Sequence, residues 1–135
     1  MPGGRIANAP TKMVSVAQPG AGADWTYTLT YAAEIQGIGA QLVTNSTAAS
    51  RTPVLKITDG SGDIEAELGN GAAQTASLTS QWTWAPTSAS LTSAPYLVPF
   101  PAGLVLPSGF KISTVTANIQ TGDQWSAIWL ALVAV

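Results

Sequence analysis

Residues 54–68 read VLKITDGSGDIEAEL. Two runs of strand-forming residues, 54–58 and 63–68, flank Asp59, Gly60, Ser61 and Gly62, whose glycines can take positive φ. The pattern is that of a β-hairpin. With those four residues as the loop, Lys56 is expected opposite Glu65 and Ile57 opposite Ile64, so that like faces meet.

On the N-terminal side, residues 35–44 read as a strand interrupted by Gly37 and Gly39, a sign of a bulge or a close backbone approach. Before them Trp25, Tyr27, Leu29 and Tyr31 alternate with Thr26, Thr28 and Thr30, the period of a half-buried strand. The first twenty residues hold three prolines around one apolar stretch, residues 13–16. They are expected to form an extended arm, 1–20, carrying a short strand, with the domain proper over 21–135.

On the C-terminal side, residues 73–84 alternate again, with Trp82 and Trp84 on one face. Residues 85–107 contain Pro86, Pro95, Pro99, Pro101 and Pro107, which suit a long structured loop with short edge segments and not a central strand. Residues 110–119 and 124–135 are expected to close the fold as a hairpin across 120–123. No segment has a helical period. About eight strands with turn signals between them predict an all-β chain, a single antiparallel sandwich of the jelly-roll type with an N-terminal arm.

Composition narrows the function. The 135 residues include no histidine and no cysteine, only five basic and seven acidic side chains, and a net charge of −2. The usual neutral-pH general base, the commonest metal ligand and the thiolate nucleophile are all missing. Arg5, Lys12, Arg51, Lys56 and Lys111 are spread too thinly to follow a phosphate backbone, so nucleic acid is not an expected partner. Residues 1–5 lack the apolar core of a signal peptide, and the longest apolar run, 128–135, is under half a membrane span. A soluble, weakly charged chain that associates is expected.

Each candidate site has a plain structural reading beside it. Asp63, Glu65 and Glu67 share a strand face at about 7 Å spacing, the range of paired glycosidase carboxylates. A solvated charged ladder is the preferred reading, since no sugar cleft or desolvated partner is apparent. Asp59 and Asp63 around two glycines fail the calcium-loop pattern, because Ile64 and Asn70 occupy the places of its glycine and glutamate. Trp125 and Trp129 share a face by period two and are expected in the core or a subunit interface. Trp82 and Trp84 are the candidates for glycan contact, should the domain be a carbohydrate-binding module. Asn45-Ser46-Thr47 matches a glycosylation sequon, taken as coincidental. Catalytic residues, cofactors and metals are not expected. In the proline-rich segment Tyr96, Val98, Phe100, Leu104 and Leu106 are expected either to face a partner or to fold back on the sandwich.

The segment 109–128, GFKISTVTANIQTGDQWSAI, resembles the end of small capsid proteins of tailed bacteriophages. The segment 43–60, VTNSTAASRTPVLKITDG, is similar to the same group. The resemblance spans most of 25–132 and is strongest at Gly122-Asp123-Gln124-Trp125-Ser126. It implies a decoration, or cement, protein: a homotrimer of single jelly rolls bound to the major capsid protein on the outer surface of the virion, made in the bacterial host cytoplasm. The same module also occurs in head fibres and tail-associated proteins. By this resemblance the arm (Arg5, Ile6, Met13, Val14, Val16) would grip neighbouring subunits, and no catalytic residues carry over; the apolar residues of the proline-rich segment are expected to add to those contacts. A host-adhesion module is the alternative.

Overall fold

The computed structural model describes residues 10–86 and 96–135. Among them the secondary structure is entirely β, in ten strands: β1 (Thr11–Val16), β2 (Thr26–Thr28), β3 (Ala33–Val43), β4 (Thr52–Thr58), β5 (Ile64–Leu68), β6 (Thr79–Ala85), β7 (Tyr96–Pro99), β8 (Val105–Leu106), β9 (Lys111–Ala117) and β10 (Gln124–Ala134). They form two sheets. A six-stranded sheet runs β1-β10-β3-β6-β7, with β8 added to β3, and a four-stranded sheet runs β2-β9-β4-β5.

The pairing is nested about the 59–62 turn. β4 pairs with β5, β3 with β6, β2 with β9 and β1 with β10, each antiparallel, so eight of the ten strands pair in nested order across two sheets, with β7 and β8 outside the nesting. Between the layers lie the large apolar side chains, including Trp25, Leu29, Ile38, Leu42, Leu55, Ile57, Trp82, Trp84, Ile112, Trp125 and Leu130. Buried indole N–H groups usually find partners. Trp82 Nε1 donates to Gln74 Oε1 at 2.8 Å and Trp84 Nε1 to the Leu68 carbonyl at 3.2 Å.

Several expectations need correction. In the 54–68 hairpin Lys56 faces Glu67 and Ile57 faces Ala66, because a bulge intervenes before Thr58 meets Ile64. Asp59 sets that turn: its Oδ1 accepts from the amides of Ser61 and Asp63. β9 and β10 are not a hairpin, since they lie in different sheets. The strand expected from residue 73 begins at Thr79, because Gln74 instead bridges to Arg51. β7 runs parallel to β6, so the sandwich is not purely antiparallel. The described part of the expected arm is a strand of the sheet, with β1 paired to β10 from Thr11 to Val16.

Candidate functional site

The densest polar cluster joins four inter-strand loops. Arg51 and Asp123 are both fully buried and pair in a fork, Nε to Oδ2 at 2.8 Å and Nη2 to Oδ1 at 3.1 Å. Arg51 also donates to Asn45 Oδ1 at 2.7 Å and to the Ala49 carbonyl at 2.8 Å. The Asp123 carboxylate accepts the amides of Asn45 and Gln120 at 2.9 and 2.8 Å. Burial by itself would raise the carboxyl pKa of Asp123, but the Arg51 hydrogen bond and the two amides outweigh it, so the group is held below its ordinary value.

Beside this pair Gln74 ties three segments together. It donates to the carbonyls of Leu42 and Leu78 and accepts from Trp82. Asp24 accepts from the Thr116 amide and hydroxyl and from Trp125 Nε1. Gly122 is required by a close approach: a Cβ there would meet Asn45 Nδ2 at 2.7 Å. With four donors on its two oxygens, Asp123 has little capacity left to take a proton from a substrate. The cluster holds loops in place; it is architecture.

The acidic face of β5 lies open to solvent, with Asp63, Glu65 and Glu67 all exposed. Asp59 is held below its ordinary pKa, chiefly by the Asp63 amide. The three side chains form a solvated charged face.

The tryptophans are placed differently from expectation. Trp82 and Trp84 are 0% exposed and stand with ring centroids 6.3 Å apart, and Tyr96 stacks on Trp82 at 4.2 Å. Neither indole can reach a glycan. Val98, Phe100 and Leu106 are buried, and Tyr96 and Leu104 pack half-buried against the same core, so residues 96–106 fold back on their own sandwich. Arg5 and Ile6 lie outside the described residues. Met13 is exposed, while Val14 and Val16 turn inward, half-buried, beside Leu130 and Ile128.

Trp125 and Trp129 do not share a face. A β-bulge between Ser126 and Trp129, with Ala127 at φ 47°, shifts the alternation by one residue. Trp125 is buried in the core, and so are Ile128 and Leu130. Trp129 therefore points to the outer face of the six-stranded sheet, where its indole lies across Gly37 and Gly39. It is the one tryptophan of five that retains partial exposure. The cross-strand row through it runs Ser15, Trp129, Gly39, Thr83, Leu97, and the row beside it runs Ser126, Gln41, Gln81. All eight residues are uncharged. Period two alone missed Trp129; the two glycines opposite it in β3 were the available signal, since a strand drops Cβ atoms where something large must lie close.

Among the described residues β1 is the last strand of this sheet, a six-residue edge without proline. An edge of that kind carries unpaired backbone groups and can accept another strand. No protein-family model matches the chain, and no curated protein matches it.

Proposed function

We propose that this chain is a structural protein of a tailed-phage particle: a jelly-roll decoration protein that sits on the outer surface of the head as a homotrimer and holds major capsid subunits together. The observation that carries the reading is the nested pairing β1·β10, β2·β9, β3·β6, β4·β5, which is how a jelly roll arises from one rolled hairpin. The two segments that resemble phage capsid proteins, 43–60 and 109–128, supply Arg51 and Asp123, and their ion pair joins one segment to the other.

The mechanism is passive. A folded tile bridges neighbouring subunits, and the area it buries raises the work of separating them under internal DNA pressure. It needs no titrating or nucleophilic group, which suits a chain without histidine or cysteine. The edge of β1, unpaired among the described residues, offers a route for strand addition between neighbours. The protein would be made in the host cytoplasm and end on the virion surface.

The test uses heads that lack the protein. Full-length chain should rebind and restore their heat resistance, and a variant lacking residues 1–9 should rebind at lower occupancy. Removing residues 1–20 would be a poorer probe, because it also strips β1 from Ile128 and Leu130. Failure of the full-length chain to bind would overturn the reading.

A further inference from the structure

The chain places four of its five tryptophans in the core, each at most 1% exposed, and holds the fifth level on the outside. Three local features produce that placement. Ala127 adopts a left-handed φ of 47°, a conformation that costs a non-glycine residue about 1–2 kcal/mol. The bulge it makes turns Trp129 outward. Gly39, directly opposite Trp129, has no room for a side chain: a Cβ there would collide with Cε2, Cζ2 and Nε1 of the indole. At Gly37 a Cβ would already touch the six-membered ring at 3.6–3.7 Å. One face of the ring is thus seated on bare backbone in mid-strand, where glycine is otherwise unfavourable by about 0.5–1 kcal/mol.

What surrounds the ring separates the ligand classes. Ser15, Ser126 and Gln41 flank it on the same sheet face, with Gln81 beyond Gln41, and together they offer hydroxyl and amide groups that both donate and accept. Ser126 Oγ and Gln41 Oε1 stand 3.4 Å apart. The next row, Met13, Ala131 and Gly37, continues the surface without charge, with Met13 exposed at its edge, and the next acidic side chain along β3 is Glu34, beyond it. A protein hot spot would set its aromatic in an apolar pocket. A level indole among neutral donor–acceptor groups instead matches a pyranose ring, whose C–H face is apolar and whose rim is hydroxyls. Among the described residues no cation is in register with this face, Lys12 of β1 standing opposite the core residue Leu132, which disfavours a sulfated or acidic sugar.

We infer that the outer face of the six-stranded sheet, centred on Trp129 and flanked by Ser15, Gln41 and Ser126, is a binding platform for neutral oligosaccharides. It stands independently of the capsid reading: a tile on the outside of a head can carry such a platform, and so can an adhesion module.

The experiment titrates the full chain with cellohexaose, laminarihexaose, maltohexaose and chitohexaose, following tryptophan emission and acrylamide quenching. Because the other indoles are sealed, the accessible signal belongs to Trp129. A saturable change is expected with at least one neutral hexasaccharide. W129A should weaken it at least about tenfold, W129F should retain part of it, and Q41A should weaken it several-fold. Should W129A fail to fold, W129F and Q41A carry the test. Four results would each overturn the inference: no saturable response to any of the four sugars, binding unaffected by W129F and Q41A, a stronger response to a heparin fragment than to the neutral sugars, or Trp129 shielded from acrylamide within an oligomer. None of these bears on whether the chain binds phage heads, so the two readings fail separately.

Discussion

At the Arg51–Asp123 corner each carboxylate oxygen is claimed by two donors and both side chains are sealed from water, whereas around Trp129 an indole lies half-open among neutral groups. The first region joins loops from across the sequence through charge; the second offers a surface from which charge has been kept away. Charge in this chain is scarce, and where it is buried it serves architecture. The uncharged face is the part we propose for recognition. Changes at the corner should therefore alter stability, and changes at the face should alter binding or exposure.

The largest effect should come from breaking the corner. Arg51→Ala or Asp123→Ala leaves one buried charge without its partner, which costs about 3–5 kcal/mol. Urea unfolding should register the full loss. A loss below about 1 kcal/mol would mean that the pair is not sealed as described. Acid gives a second reading of the same pair. The folded pKa of Asp123 lies below its unfolded value, so its contribution is fully present above the ordinary carboxylate range and disappears as pH falls through the lower, folded value. Stability should be level from neutral pH down to that range and then fall, with a shallower fall in Asp123→Asn. An unchanged acid limb in that variant would assign the fall to other carboxylates.

Gly39→Ala carries the comparison to the face. The new methyl collides with the indole, so the ring must lift, at about 1–3 kcal/mol. Acrylamide should then quench Trp129 more strongly. A stable variant with unchanged quenching would contradict the seating of the ring. Ala127→Gly should do the reverse on a smaller scale. It relieves the left-handed φ at some cost in unfolded-state entropy, for a net gain of less than about 1 kcal/mol. At the far end of the scale, Glu65→Gln and Glu67→Gln should change stability by no more than about 0.5 kcal/mol, because both side chains are exposed on β5. A rise in melting temperature of several degrees in either would show that the acidic face is strained rather than solvated.

Much of the fold is legible in local patterns. The 59–62 turn, the alternation of Trp25 to Tyr31 and the strands around β3, β4 and β9 follow from turn chemistry and period two. What stays hidden is set by non-local geometry. A single bulge at Ala127 reverses which side Trp129 faces, and nothing in a residue-by-residue alternation reports it. Prolines at 99 and 101 leave open whether the segment faces outward or folds back; Val98 and Phe100 fill the core beside Trp84, because a strand at the sheet's edge tolerates proline on its exposed side. Asp123 reads as an ordinary turn residue; its role depends on Arg51, 72 residues away. Of the candidate site, only the glycine pair in β3 was visible in advance.

The most direct test of the central claim is quantitative mass spectrometry of the purified phage particle whose genome encodes the chain. A decoration protein should be present in many copies, in fixed proportion to the major capsid protein and in a multiple of three. Its absence from the particle, or its presence in only a few copies confined to the tail, would contradict the claim.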